Sequence, residues 1–112
     1  MSMSGDDLVK VLSALGNAQR LRILAALVPG RNYVSQLARE LQMSRPLLHL
    51  HLQRLEAAGL VTGKLELSPD GKAMKFYEVP SFQIELSPDS IVTAAETLTD
   101  QQHDSVSKEG SS

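Results

Sequence analysis

The sequence has no cysteine and no tryptophan, and its aromatic residues are limited to two phenylalanines and two tyrosines. Without cysteine, the chain can form neither a disulfide nor a thiolate metal site, and it has no thiol redox switch. So few aromatic rings provide no stacking platform of the kind that binds single-stranded nucleic acid. The chain also has no apolar run near the ~20 residues that a membrane-spanning helix requires. Residues 1–7, MSMSGDD, lack the apolar core of a signal peptide, so we expect a cytoplasmic protein with no membrane segment.

The length and composition are those of one small domain. With 112 residues, of which 42% are hydrophobic, the chain has enough apolar surface for a single core. We predict that this domain spans residues 7–100. Residues 1–6 are polar and acidic, and residues 101–112 show no apolar periodicity, so both ends are predicted to be disordered.

Residues 33–61 contain two helical patterns separated by a short polar break, which is the arrangement of a helix-turn-helix. The first predicted helix has Ser35 as its N-cap and stops near Met43. Its apolar face comprises Leu37, Ala38 and Leu41.

The second predicted helix begins at Ser44, a natural N-cap, and Pro46 fits its first turn because the missing N–H would have no helical partner there. Gly59 suits a left-handed position just past its end. At ~100° per residue, one side of this helix faces the core and carries Leu48, Leu52 and Leu55, with His51 on their flank. The opposite side, here called the reading face, carries Pro46, His49, Leu50, Gln53 and Arg54. We predict that the reading face enters the major groove of DNA.

A β-hairpin is predicted directly after this helix. Residues 60–67 and 73–79 are short and rich in branched and aromatic residues, and the intervening SPDGK supplies the residues of a tight turn. A hairpin in this place is the wing of a winged helix-turn-helix. Its three lysines, Lys64, Lys72 and Lys75, are candidates for contacts with the flanking DNA backbone or minor groove, or else ordinary solvated charges.

Two further helices precede this unit. The first is predicted from Leu8, Val11, Leu12 and Leu15, which repeat at helical spacing, and Gly16 ends it. Asn17 can cap the second, which Pro29 and Gly30 stop. The apolar positions of the second helix include Leu21, Ile23, Leu24 and Leu27.

Residues 81–86 alternate between polar and apolar side chains, which predicts a half-buried strand, pairing either within the chain or with a second copy. Ser87 and Pro88 then begin a last helix. One side of that helix carries Ile91, Val92, Ala95 and Leu98. This stripe either packs against the first helix of the same chain or meets a second chain.

The chain resembles the arsenic-repressor (ArsR) family of winged-helix transcriptional regulators over about residues 8–79. The segment LSALGNAQRLRILAAL, residues 12–27, is similar to the family's opening signature, and residues 43–61 are similar to its recognition helix, with Ala58-Gly59-Leu60-Val61 in matching places. Tyr77-Glu78-Val79 resembles the end of the wing. The resemblance implies a mainly α fold with a β-hairpin wing, and a homodimer formed by the first and last helices. It places Leu8, Val11, Leu12, Ile91, Val92, Ala95 and Leu98 in the dimer interface.

The chain departs from those members of the family that sense metals. The helix that holds their cysteine cluster corresponds here to residues 35–42, which have no cysteine. His49 and His51 point ~160° apart on one helix and cannot share an ion, and His103 lies alone. We therefore predict no metal and no cofactor, the alternatives being a metal site shared across a dimer or a weaker site from carboxylates and His103 near the last helix. Any effector is expected to be a small molecule or a partner protein, with zinc, arsenite and cadmium leaving DNA affinity unchanged.

The net charge of −2 is unevenly distributed. Residues 31–79 have seven basic and five acidic side chains, whereas residues 80–112 have one basic and six acidic ones. The predicted DNA-binding part therefore has a charge of +2 and the following part a charge of −5. Because attraction to phosphates depends on local charge, we expect weak nonspecific binding and a strong dependence on dimerisation.

The sequence thus predicts a homodimeric regulator, most often a repressor in the resembling family, that binds double-stranded DNA at an inverted repeat. The candidate DNA-binding residues are Ser35, Gln36, Ser44, Arg45, Pro46, His49, Gln53, Arg54, Lys64, Lys72 and Lys75. An alternative is a winged-helix module that binds proteins, and it is suggested by Leu47 and Leu50 on the outer side of the recognition helix. An enzyme is disfavoured because the chain shows no nucleophile beside a base, no phosphate-binding glycine loop and no paired carboxylates at functional spacing.

Overall fold

A computed structural model describes residues 3–99 of the protein. The described residues form five helices and three short strands. In chain order these are α1 (Gly5–Leu15), α2 (Ala18–Leu27), β1 (Asn32–Tyr33), α3 (Val34–Leu41), α4 (Arg45–Ala57), β2 (Thr62–Leu67), β3 (Ala73–Glu78) and α5 (Pro88–Ala95). They divide into two compact units, one of residues 11–82 and one that combines residues 3–10 with residues 83–99.

The larger unit has a core made by α2, α3, α4 and the strand β3. Its helices bury branched side chains that recur at helical spacing, which gives each helix one apolar side. The fully buried helical members are Ile23, Leu27, Leu37, Leu48, Leu52 and Leu55, and Val61, between α4 and β2, is fully buried beside them. Leu21 was expected in this face but is 53% exposed, so the apolar side of α2 is narrower than its sequence predicts.

Several predicted helix ends are confirmed. The Asn17 side chain accepts a hydrogen bond from the backbone N–H of Arg20 at 3.1 Å, as an N-cap should. Ser44 does the same for the N–H of Leu47 at 3.3 Å. Gly59 has a φ of 78°, in the left-handed region that favours glycine.

The predicted start of α3 is wrong. The helix begins at Val34, and Tyr33 occupies the N-cap position without a side-chain hydrogen bond, so Ser35 lies inside the helix. The reason is a tertiary one: Asn32 and Tyr33 form β1 and pair with Tyr77 and Phe76 of β3. The chain therefore passes from a strand directly into the helix, and the strand partner sets the boundary.

The hairpin is confirmed as β2 and β3, which pair in register from Thr62 opposite Glu78 to Leu67 opposite Ala73. The sheet order is β1-β3-β2. In the turn, the Ser68 side chain accepts from the N–H of Lys72 at 3.1 Å and donates to Asp70, while Gly71 adopts a φ of 85°. These local bonds explain why the SPDGK segment folds as a tight turn.

Residues 81–86 form no strand within the single chain that the structure describes, so of the two predicted pairings the one within the chain is wrong. Phe82 is 44% exposed and Leu86 is 54% exposed, so the alternation does not mark a buried face. Both sides of β3 are already occupied, by β1 and by β2. The carbonyl of Glu85 instead accepts a hydrogen bond from the Ser90 hydroxyl at 3.2 Å, at the start of α5.

In the smaller unit, the beginning of α1 packs against α5 and the turn after it. A Cβ placed on Gly5 would clash with the Ala94 carbonyl oxygen, so the two backbones approach closely here. The Gly5 N–H donates to the Thr97 hydroxyl at 2.6 Å. Ser87 and Ser90 form a reciprocal capping box at the predicted start of α5.

The first helix begins earlier than the predicted start of the domain. Helix α1 begins at Gly5, within the residues 1–6 for which disorder was predicted. The predicted tail, residues 101–112, and its His103 lie outside the described residues. Among residues 3–99, no helix is long and apolar enough to cross a membrane.

Candidate DNA-binding surface

The reading face of α4 is exposed as predicted. Leu48, Leu52 and Leu55 are each 0% exposed and hold the opposite side of the helix in the core. All five residues of the reading face are exposed, and so are the neighbouring Arg45 and Leu47. The N-terminal turn of α4 is therefore open to an external partner, with its cap already satisfied by Ser44.

The two candidate residues on α3 are less available. Ser35 and Gln36 are both half-buried. The Gln36 amide donates to the Glu40 carboxylate at 3.1 Å, and Asn32 donates to the same carboxylate at 3.3 Å. One N–H of the Gln36 amide is therefore committed to Glu40, which leaves its second N–H and its carbonyl oxygen for a contact with DNA.

The three wing lysines are exposed, as expected for residues that meet solvent or phosphate. Lys64 lies opposite Phe76 on one face of the hairpin, whereas Lys75 lies opposite Leu65 on the other. The Lys75 ammonium is 5.4 Å from the centre of the Tyr77 ring, a cation–π contact. Lys72 lies in the turn, so the three charges are spread over the hairpin and not clustered.

Arg31 is a further residue of this surface, and it was not among the residues predicted from the sequence. Its guanidinium makes two hydrogen bonds to Glu66 of β2, at 2.6 and 3.1 Å, and lies 4.3 Å from the centre of the Phe76 ring of β3. It therefore links the segment before β1 to the two strands of the wing. The hydrogen bonds from Arg31 are the main reason why the pKa of Glu66 is lowered. The sequence gives no local signal for the contact between Arg31 and Glu66, because these residues are 35 positions apart in the chain.

Arg20 is the second overlooked residue, and it ties α4 to the end of α1. Its Nε donates to the Ala14 carbonyl at 2.7 Å and its Nη2 to the Ser13 carbonyl at 3.3 Å. Its Nη1 lies 3.2 Å from Nδ1 of His51. Since a guanidinium can only donate, Nδ1 must accept, so His51 is neutral with its proton on Nε2.

The surroundings of His51 oppose its protonation. The side chain is buried, with 7% exposure, and burial lowers its pKa below the ordinary 6.5. The positive charges of Arg20 and Arg54 lower the same pKa further. The predicted core position of His51 is thus confirmed, and its ring is held in the neutral form.

This arrangement predicts an acid-sensitive fold. Because the pKa of His51 is lower in the folded chain than in the unfolded one, the unfolded chain binds more protons below about pH 6.5. The free energy of unfolding should therefore be highest above that pH and fall as the pH drops towards the folded-state pKa. Urea unfolding measured between about pH 7.5 and 5.5 tests this, in a range above the ordinary pKa of the carboxylates.

The matched pair of variants is His51→Asn and His49→Asn. Asparagine places an uncharged acceptor near the position of Nδ1, so His51→Asn should remove this part of the pH dependence. His49 is exposed, and its replacement should leave the dependence in place. Equal pH dependence in the natural protein and His51→Asn would contradict the assignment.

No metal cluster is apparent in the part of the chain that the structure describes. Residues 3–99 contain no group of three or more His, Cys, Asp or Glu side chains placed to hold an ion. His49 is exposed and His51 is buried against Arg20, so these two side chains have different surroundings.

Comparison with known proteins identifies the family. The family described as "Bacterial regulatory protein, arsR family" matches residues 17–62, which cover α2 to the start of β2. An uncharacterized HTH-type transcriptional regulator of Methanocaldococcus jannaschii is 38% identical over 77 residues, which make up 69% of this chain and 80% of that protein. The chain belongs to the ArsR family. It is a transcriptional regulator with a helix-turn-helix DNA-binding fold, not an enzyme.

Solved structures agree with this ArsR-family fold. Reduced HlyU from Vibrio cholerae is 26% identical and superposes with a TM-score of 0.58, over 81% of this chain and 84% of that one. A solution structure from Mycobacterium bovis, described as a homodimeric winged helix-turn-helix DNA-binding domain, is 23% identical with a TM-score of 0.60, over 96% and 85% of the two chains. The winged helix-turn-helix predicted from the sequence is therefore confirmed.

Proposed function

We propose that this ArsR-family regulator is a homodimeric repressor that binds an inverted repeat in double-stranded DNA. Helix α4 lies in the major groove, and the hairpin of β2 and β3 contacts the flanking backbone. The observation that carries this proposal is the exposed reading face, presented by a helix whose other side is anchored by three fully buried leucines. A rigid helix with an open N-terminal half is what base recognition in the major groove requires.

The dimer is supported by apolar side chains that the chain leaves exposed. Leu12 is 39% exposed, Ile91 50%, Val92 62% and Leu98 44%. The M. bovis relative is described as homodimeric. Val11 is only 3% exposed and is covered by its own chain, so it leaves the predicted interface. Ala94, at 8% exposure, is the residue of α5 that packs internally, beside Gly5.

The electrostatics explain why two copies are needed. Residues 31–79 have a charge of +2, and Arg31 is already paired with Glu66. One protomer therefore presents only a small net positive charge to phosphate, and its nonspecific affinity should be low. Two linked protomers double these contacts without adding a new kind of interaction.

Selection of bound duplexes from a random library, using the purified full-length protein, tests the proposed function. We expect an inverted repeat whose half-site centres are about 10 bp, or a multiple of this, apart, because a two-fold dimer presents two recognition helices on one side of the duplex. Recovery of a motif without dyad symmetry would contradict the dimeric mode. Recovery of no motif would favour the protein-binding alternative, for which the exposure of Leu47 and Leu50, 40% and 48%, is the supporting observation.

Arg45 and Gln53 are expected to determine base preference. An arginine can pair with guanine and a glutamine with adenine, so Arg45→Ala or Gln53→Ala should weaken binding to the preferred site by ~1–3 kcal/mol and relax one base position each. Affinities for a panel of single-base variants of the site measure both effects. A loss that is equal on every sequence would show that the side chain contacts only phosphate.

The wing lysines are expected to contact phosphates. Replacing Lys64, Lys72 or Lys75 by alanine should weaken binding to all duplexes similarly and reduce the slope of log affinity against log salt by about one per contact. The control is Lys10→Ala, which removes one positive charge from an exposed lysine on α1. This variant should keep the slope of the natural protein. If all three wing variants keep the slope of the natural protein, the wing does not touch DNA.

A further inference from the structure

The centre of the reading face is apolar, although its margins are polar. At ~100° per residue, Leu50 lies within ~15° of the direction opposite the mean of Leu48, Leu52 and Leu55. Pro46 follows at ~27°, whereas Gln53 and Arg54 lie at ~47° and ~53°. Leu50 is 48% exposed, so residues 3–99 leave about half of this side chain accessible. The side chain at the outermost line of α4 is therefore an aliphatic one.

The surroundings of Leu50 suit a nucleic-acid partner more than an apolar one. Arg54 lies one helical turn from Leu50 on the same side of α4 and is exposed, Arg45 is exposed in the first turn, and the first three turns of α4 contain no acidic residue. Although Leu47, one turn before Leu50, is also exposed, a protein groove that buried this part of α4 would have to accommodate or desolvate both guanidinium groups. The phosphates that border a DNA groove would instead pair with them. Charge complementarity thus favours duplex DNA as the occupant.

The major groove offers few apolar groups to such a side chain. The bases present hydrogen-bond donors and acceptors there, and the C5-methyl group of thymine is the apolar exception. An aliphatic side chain that faced any other base edge would cover a polar group without giving it a hydrogen bond, which is unfavourable. In a major groove, a leucine at the outermost line of the helix would therefore prefer thymine to the other bases.

We propose that Leu50 is a specificity-determining residue that contacts the C5-methyl group of a thymine in each half-site. The proposal rests on the proposed function, since it requires α4 to lie in the major groove. Gln53 is one helical turn further on the same side, where side chains three residues apart are neighbours. A glutamine suits adenine, so Leu50 and Gln53 together favour A·T pairs at neighbouring positions of the half-site.

Deoxyuridine substitution tests the contact directly, because uracil pairs as thymine does but lacks the methyl group. Each thymine of the selected site is replaced in turn by uracil, in both half-sites, and affinity is measured by fluorescence anisotropy for the natural protein and for Leu50→Ala. Loss of one buried methyl contact corresponds to a decrease in affinity of about three- to fivefold per half-site. We expect this decrease at one thymine for the natural protein and no decrease there for Leu50→Ala.

Leu21→Ala is the matched control, because Leu21 is an exposed leucine on α2 with 53% exposure. It should retain full sensitivity to uracil at the same position. Equal sensitivity in the natural protein and Leu50→Ala, or none in either, would overturn the contact while leaving the proposed function intact, since both proteins would still bind the selected site. Failure of the natural protein to prefer any duplex would overturn both the proposed function and the thymine contact, and would favour the protein-binding alternative for Leu50.

Discussion

Replacing Leu52 by alanine is expected to destabilise the larger unit by ~2–5 kcal/mol. Leu52 is 0% exposed and sits between Leu48 and Leu55 on the side of α4 that faces the core. The substitution removes buried apolar surface and leaves a cavity that the surrounding helices can only partly fill. Domains of this size are stable by only about 5–15 kcal/mol, so the loss is a large fraction of the total.

Urea unfolding followed by circular dichroism measures the effect. Leu21→Ala supplies the comparison, because it deletes the same atoms from a side chain that is 53% exposed and should change stability by less than about 1 kcal/mol. Similar unfolding midpoints for the two variants would show that α4 is not anchored as described. The Leu52→Ala variant should lose DNA affinity only at urea concentrations at which it also unfolds.

Replacing Val92 by glutamate is expected to convert a dimer into monomers and to lower DNA affinity by about 100-fold or more. Val92 is 62% exposed on α5, so a glutamate there costs the single chain little. In an apolar interface it would place a charge without a partner, which opposes association. A monomer keeps one half-site's contacts and loses the gain that comes from linking two.

Sedimentation velocity reports the change in mass, and fluorescence anisotropy reports the affinity. The control is Val28→Glu, which introduces the same charge at a valine that is 68% exposed at the end of α2. That variant should remain dimeric. A Val92→Glu protein that stays dimeric, or a Val28→Glu protein that dissociates equally, would place the interface elsewhere than on α5.

The best-predicted parts of this protein are those whose signals lie within a few residues. Ser44 and Pro46 mark the start of α4, Gly59 marks its end, and the turn between β2 and β3 can be read from SPDGK. In each case the hydrogen bond or backbone angle that defines the feature is made by residues close in sequence. The buried side of α4 was likewise predictable, because helical periodicity fixes which side chains share a face.

The errors arise where a distant partner decides the local structure. Ser35 is a good N-cap, but pairing of Asn32 and Tyr33 with β3 makes Tyr33 the cap position. Residues 81–86 alternate like a strand, yet they pair with neither open edge of the sheet, β1 or β2, within the described chain. A strand needs a hydrogen-bonding neighbour, and alternation alone does not provide one.

By itself, the sequence determined the helix-turn-helix with its wing and which side of α4 is exposed, because caps, turns and periodicity are local properties. The family followed from the resemblance of residues 8–79 to known regulators. Tertiary structure alone decided which distant side chains contact α4 and the wing. Arg20 joins the end of α1 to the neutral ring of His51, and Arg31 joins Glu66 and Phe76 of the wing. Arg20 and His51 are 31 residues apart in the sequence, and Arg31 and Glu66 are 35 residues apart. Only the folded chain therefore brings the members of each pair within hydrogen-bonding distance. Periodicity can place a side chain on one side of a helix, but the other elements of the fold determine what it meets there.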